Sequence, residues 1–259
     1  MDQQAFVAQQ FGSTAHRYLT STVHAIGADL DRLEAHVQKS QAANVLDLGC
    51  GAGHASFALA RGGARRVVAY DLATPMLDVV AAQARARGHN NLQTRAGAVE
   101  QLPFADGEFD LVTTRFSAHH WLDAQMGLFE AARVLKPGGT VIVIDVLSPE
   151  SPLLDTVLQT VEVLRDRSHV RNYRASEWRA MLATANFAPA KILAWKLPME
   201  FTAWVARIGT SAARVAALHV VLDELPQEAR DFFALRPDRS FAIDAGWFES
   251  HRGPNLTAG

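Results

Sequence analysis

Asn44-Val45-Leu46-Asp47-Leu48-Gly49-Cys50-Gly51-Ala52-Gly53-His54 decides the fold. Val45, Leu46 and Leu48 form a short apolar run that carries one acid, Asp47, and breaks into glycines at Gly49, Gly51 and Gly53. A helical pattern begins at once over residues 55–61. The order is a buried strand, a tight turn and a helix N-terminus. Glycine suits the turn because the backbone takes unusual dihedrals there and a ligand must come close to it. The unpaired N–H groups of the helix start then face whatever lies over the turn. The dinucleotide fingerprint G-x-G-x-x-G is not met, since the third glycine comes one residue early and His54 stands at its position.

Residues 66–70 read as a second strand that ends in Asp71. An acid at the carboxyl end of the second strand is placed to grip ribose hydroxyls, because a carboxylate accepts from both at once. Thr74 is positioned to cap a helix with Pro75 at its first position, and Gly88 is a natural stop. Residues 92–96 and 109–114 read as further strands, followed by a helix over 122–135. Lys136-Pro137-Gly138-Gly139 then turns the chain into a strand over 140–145.

Four stretches in this order resemble the motifs of class I S-adenosylmethionine-dependent methyltransferases. Asp47 to Gly53 resembles D-x-G-x-G-x-G, and Asp71-Leu72-Ala73-Thr74-Pro75-Met76-Leu77 resembles D-x-S-x-x-M-L with Thr74 in place of serine. Residues 97–110, beginning Gly97-Ala98-Val99-Glu100-Gln101-Leu102-Pro103-Phe104, resemble G-D-A-E-x-L-P-F-x-D-x-x-F-D. Arg115-Phe116-Ser117-Ala118-His119-His120-Trp121 resembles S-x-x-x-H-H-[WF], and L-K-P-G-G recurs in the same family. The similarity extends to the branch that includes the C-methyltransferases of ubiquinone and menaquinone biosynthesis, and the N-terminal string to uncharacterised bacterial members.

The resemblance implies an α/β, Rossmann-like fold: a seven-stranded, mostly parallel sheet with an antiparallel last strand and helices on both faces. It implies S-adenosylmethionine as cofactor and S-adenosylhomocysteine as product. The implied cofactor residues are Tyr18, Asp47, Gly49, Cys50, Gly51, Asp71, Leu72, Met76, Ala98, Val99 and Arg115. In the family the glycine turn packs against the methionine part, the backbone near Arg115 meets the same end, and a methionine at the position of Met76 packs on adenine. Met76 is equally suited to core filling. Ala98 departs from the family, whose aspartate accepts from the adenine amino group. Either another acceptor serves here, or adenine is held by stacking and by the backbone around Val99.

The chain's 259 residues, 49% hydrophobic and 20% charged, are enough for one large domain with a real core. The formal net charge of -2 gives no basic footprint for nucleic acid or a membrane surface, and no apolar run reaches membrane-spanning length. Cys50 is the single cysteine, so no intrachain disulfide forms and a packing role is expected for it. No basic-then-apolar signal pattern opens the chain, and the expectation is a cytoplasmic protein without a metal.

Four regions are expected within one compact domain. Residues 1–40 form a helical lid, 41–200 the cofactor-binding core, 201–239 a helical insertion that caps the substrate, and 240–259 the last strand and tail. In the lid, Leu19, Val23, Ile26, Leu30, Leu33 and Val37 recur at helical spacing, with a break between two helices near residues 11–18. Tyr18, Ser21 and His24 share one side of that helix.

Methyl transfer to a hydroxyl or an acidic carbon is helped by a base, for which His120, His119 and His24 are the candidates in that order. Residues 165–179 carry five arginines, suited either to an anionic acceptor or to pairing with Asp166 and Glu177. Arg171 with Tyr173, and Arg207 with Trp204, are the pairs expected at an anionic or aromatic small-molecule acceptor. Helix caps are expected at Thr74 and Ser176. Two rival functions stand beside this one: an adenosylmethionine-binding protein without transferase activity, and a nicotinamide-dependent oxidoreductase, which Asp71 favours and the glycine spacing opposes.

Overall fold

The computed structural model describes residues 2–12 and 27–254. Helices α1 (Gln3–Gly12) and α2 (Ala28–Ser40) precede β1 (Asn44–Leu48), α3 (His54–Arg61), β2 (Arg66–Asp71), α4 (Thr74–Ala86), β3 (Leu92–Ala96) and β4 (Phe109–Arg115). A 3-10 turn (Ala118–His120) leads to α5 (Ala124–Val134), β5 (Leu135–Ser148), α6 (Pro152–Arg165), β6 (Tyr173–Arg174), α7 (Ala175–Thr184) and β7 (Lys191–Met199). Helices α8 (Phe201–Ile208), α9 (Ala212–Asp223) and α10 (Gln227–Phe232) intervene before β8 (Phe241–His251).

One sheet results, with strand order β3-β2-β1-β4-β5-β8-β7. Strands β1 to β5 pair in parallel, and β8 runs antiparallel to both β5 and β7. This is the expected seven-stranded arrangement. A two-residue strand, β6, adds to the end of β5 at Leu147 and Ser148 and was not legible from the pattern.

Period-two alternation explains why these runs are strands. Val45, Val67, Leu111, Ile142, Ile144 and Trp247 fill one face, beneath Leu30, Leu33 and Val37 of α2. Their neighbours Leu46, Val68, Val112, Val143 and Phe248 fill the other, with Leu128 of α5 and Trp178 and Leu182 of α7. Strands buried on both faces read as continuous apolar runs. Leu30, Leu33 and Val37 confirm the apolar stripe of α2; Leu19, Val23 and Ile26 lie outside the described residues.

The Lys136-Pro137-Gly138-Gly139 turn is a looped-out step in the sheet. While β4 advances from Phe109 to Leu111, β5 advances from Leu135 to Thr140. Both expected caps are corrected. Ala73, not Thr74, is the N-cap of α4, and no side chain caps there. At α7 the N-cap is Arg174, whose N–H is held by Glu177, while the Ser176 hydroxyl turns away to Glu150. No helix among the described residues is long and apolar enough to cross a membrane.

Between β7 and β8 the helical segment packs onto α6. Phe201, Trp204, Val205 and Ile208 are buried at helical spacing in α8, with Leu218 and Leu222 from α9. The Glu200 carboxylate caps α8 by accepting from the N–H groups of Thr202 and Ala203 at 2.9 and 2.6 Å.

Trp178 is fully buried, yet its indole N–H has no hydrogen-bond partner among the described residues. Trp178→Ala is therefore expected to cost about 3–5 kcal/mol in urea denaturation, through the cavity it leaves. Trp178→Phe should cost clearly less, because the ring volume is largely kept and no hydrogen bond is lost.

Candidate active site

The turn after β1 is shaped by its neighbours. Gly49 has φ +64°, and a Cβ there would lie 1.7 Å from the Ser117 hydroxyl oxygen. Gly51 has φ +51°, and a Cβ there would meet nothing within 4 Å, because its open side faces a cleft. The turn is tied to β2 by two bonds: Cys50 N–H donates to the Tyr70 carbonyl at 3.0 Å, and Gly51 N–H to the Asp71 carboxylate at 2.8 Å. The second Asp71 oxygen accepts from Ala73 N–H at 2.8 Å. Burial raises the pKa of Asp71, against these N–H groups, which favour its charged form. Burial, with Asp71 and Asp47 nearby, pushes the Cys50 thiol well above its ordinary value, so it stays a packed, uncharged thiol.

This cleft, about 1000 Å³ counted to its mouth, lies at the carboxyl ends of β1, β2 and β4, where the sheet order reverses. Asp47, Gly49, Cys50, Gly51, Asp71, Leu72 and Met76 line it, as do Ala98, Val99, Arg115 and His120. Ten of the eleven expected cofactor residues thus come together around one cleft. Tyr18, the eleventh, and the candidate base His24 lie outside the described residues. Helix α1 closes one side through Gln4, Val7 and Phe11. Its glutamines tether it: Gln3 donates to the Ser168 carbonyl, Gln4 to Glu100 and Gln10 to the Ile208 carbonyl, at 3.0, 3.3 and 3.1 Å.

A second cavity of about 530 Å³ adjoins the first and shares Phe11, Phe116 and His120 with it. Val146, Leu197, Met199, Trp204 and Ile243 make it apolar, while His119, Glu162, Arg165 and Arg207 give it a polar side. Glu162 is buried, its carboxylate 3.6 Å from the Arg165 guanidinium, and burial raises its pKa. Phe116 stands between the two spaces with φ +49°, a left-handed conformation that costs a bulky side chain about 1–3 kcal/mol. Its N–H is anchored to the Ile144 carbonyl at 2.8 Å.

The two histidines differ. His119 Nδ1 meets the buried Asp145 carboxylate at 2.6 Å, which leaves Nε2 for the second cavity. Burial opposes its protonation, but Asp145 outweighs burial and the His119 pKa is raised. His120 donates from Nδ1 to the Ser168 carbonyl at 3.2 Å, and its Nε2 is 3.7 Å from Asp166. Burial, then the neighbouring His119, lowers the His120 pKa. Phe11 meets the His120 ring edge-on at 4.8 Å.

Of the expected substrate residues, Trp204 and Arg207 border the second cavity. Arg171 and Tyr173 border neither space. Arg171 is paired with Glu177 at 3.0 Å and Asp155 at 3.4 Å, and Tyr173 packs edge-on against Trp178. Glu100, Asp145, Glu162, Phe11 and Phe116 were not singled out from the sequence. Asp145 carried a signal, an acid closing an apolar strand as Asp71 does, but its partner is distant in the chain. Among the described residues no group of three or more His, Cys, Asp or Glu side chains is arranged to hold a metal.

Asp47 is fully buried and accepts from the hydroxyls of Ser56 at 2.5 Å and Thr113 at 3.2 Å. Burial pushes its pKa up to about 6 despite these bonds. A raised carboxyl favours the folded state at low pH and loses that contribution as pH climbs from about 4 through about 6. Relative to Asp47→Asn, the wild type should lose about 3 kcal/mol of stability between roughly pH 4 and 7, measured by urea denaturation across that range.

Comparison with known proteins agrees with this geometry. Residues 46–143 match the model of a methyltransferase domain. The chain is 49% identical over 186 residues to the uncharacterized protein YafE of Escherichia coli, covering 72% of this chain and 90% of that one. It is 35% identical to the uncharacterized methyltransferase YcgJ of Bacillus subtilis, covering 87% and 88% of the two chains. The crystal structure of YcgJ superposes with a TM-score of 0.81 at 32% identity, over 86% of this chain and 99% of that one. A demethylmenaquinone methyltransferase of Mycobacterium marinum is 32% identical, over 82% of this chain and 91% of its own. The chain belongs to the class I S-adenosylmethionine-dependent methyltransferases, in the branch of the menaquinone and ubiquinone enzymes, and is a methyltransferase.

Proposed function

We propose that the protein transfers the methyl group of S-adenosylmethionine to the oxygen or carbon of a small acceptor held in the second cavity. One observation carries this reading: the two spaces share Phe11, Phe116 and His120, so a donor in one meets an acceptor in the other. The residues of the first space suit the cofactor. Gly51 leaves room for close approach, Asp71 keeps lone pairs for ribose hydroxyls, and the half-buried Leu72, backed by the buried Met76, offers an apolar surface beside them. S-adenosylmethionine brings an already activated methyl group, so the protein's work is alignment, exclusion of water and handling of one proton.

His119 is the base we favour, ahead of His120. Asp145 orients its ring and leaves Nε2 to accept a proton from the acceptor. His120, lowered by burial and bonded to a carbonyl, serves better as a wall at the junction. The apolar side of the cavity, with the Trp204 ring and the polar groups Glu162, Arg165 and Arg207 opposite, fits a hydroxylated aromatic or enolic acceptor. Residues 201–239 act as the cap over this acceptor, and α1 as part of a lid over both spaces.

The test is transfer of tritium from methyl-labelled S-adenosylmethionine to a panel of phenols, hydroxyquinols and demethylmenaquinone-type rings. Label should appear in at least one of them. With that acceptor, His119→Ala and Asp145→Asn should each lower kcat by about 100-fold or more, while the Kd for S-adenosylhomocysteine stays within about threefold. Undiminished turnover in both variants would end the assignment of the base.

A further inference from the structure

Resting on the cofactor reading above, we infer that Glu100 reads the adenine amino group, in the role that Ala98 cannot fill. The transferable methyl must face the second cavity, which lies at the carboxyl ends of β4 and β5. Asp71, at the end of β2, takes the ribose. The base therefore extends the other way, toward the carboxyl end of β3 and residues 97–100. At that end the amino group of adenine is a two-proton donor entering a cleft walled by Leu72, Met76 and Val99. A donor buried without an acceptor loses its bonds to water and weakens binding.

Ala98 offers only a methyl group, and its carbonyl already accepts from the Tyr70 hydroxyl at 3.0 Å. Three carboxylates border the cleft among the described residues: Asp47, Asp71 and Glu100. Asp47 belongs to the β1 end and has both oxygens bound by Ser56 and Thr113. Asp71 is bound by Gly51 and Ala73 and takes the ribose. Glu100 remains, and it is anchored. Its Oε1 accepts from the N–H groups of Leu122 and Asp123 at 3.0 and 3.3 Å, which orients the carboxylate. Its Oε2 accepts one long bond, 3.3 Å, from the Gln4 amide of α1. That oxygen keeps lone-pair capacity on the cleft wall for a second donor, and the base would sit where α1 also reaches.

Calorimetric titration with two ligands tests this. S-adenosylhomocysteine carries the 6-amino group, and S-inosylhomocysteine carries a carbonyl oxygen in its place. The wild type should prefer the first by roughly 10- to 100-fold, since a charged acceptor favours a donor and repels a carbonyl. Glu100→Gln keeps an oxygen for Leu122 and Asp123 and turns an NH2 toward the base. Its preference should collapse to about threefold or less, or invert. Ala98→Asp added to that variant should restore the preference for the amino ligand. A merely structural role would weaken both ligands alike and leave their ratio unchanged, and an unchanged ratio in Glu100→Gln overturns the assignment. Glu100→Ala, checked for folding by thermal denaturation, repeats the comparison without the new donor. If the wild type binds neither ligand, the cofactor reading falls and this assignment falls with it. If it binds both equally, only the assignment falls.

Discussion

The carboxylate of Asp71 holds the site together. It bridges the glycine turn and the start of α4 by accepting from Gly51 and Ala73. The Cys50 bond to Tyr70 places the turn against the end of β2, and Ser117 fills the space that any side chain at Gly49 would need. The ends of β1, β2 and β4 are thereby locked at one level. A sheet of parallel strands brings its loops to one edge in any case. The short contacts at Asp71 and Gly49 turn that edge into a shaped cleft.

Charge is concentrated around the same edge and is deeply buried. Asp145, Asp166 and Glu162 surround His119 and His120 in a low-dielectric setting. Each acid raises the cost of its neighbours' ionisation, and each histidine offsets it. Asp166 Oδ2, His169 Nδ1 and both amide atoms of Asn172 have no hydrogen-bond partner among the described residues. Such groups weaken a fold by about 1–3 kcal/mol each. They sit in the segment that packs on the 3-10 turn, where the Val170 and Arg171 N–H groups donate to the His119 carbonyl. Locally unfavourable polar groups of this kind gather where a structure serves chemistry more than stability.

The frame of the molecule was legible because its signals are local. Alternating apolar pairs such as Val45 with Leu46 and Val67 with Val68 announce strands buried on both faces. Glycines at fixed offsets announce the turn, and the strand-end acid Asp71 announces the ligand edge. What escaped depends on partners distant in the chain. Asp145 meets His119, and Glu100 meets Leu122, Asp123 and Gln4, only across the fold. For Arg171 the sequence offered an anionic acceptor or an ion pair with Glu177; the pair forms, and a second partner, Asp155, comes from α6. The caps failed for a related reason. Glu177 accepts the backbone N–H of Arg174, and Glu150 accepts both the N–H and the hydroxyl of Ser176, so acids rather than the serine settle the start of the helix. Tyr18, expected at the cofactor, and His24, a candidate base, lie outside the described residues.

The cleft at Gly51 and Asp71 is proposed to take an adenosyl sulfonium cofactor and not a dinucleotide. Titration calorimetry of the wild-type protein with S-adenosylhomocysteine and, separately, with NADH distinguishes the two. The first should bind saturably with a Kd in the micromolar range, and the second should give no heat of binding. Binding of NADH without S-adenosylhomocysteine would contradict it, and so would a protein that is folded yet binds neither.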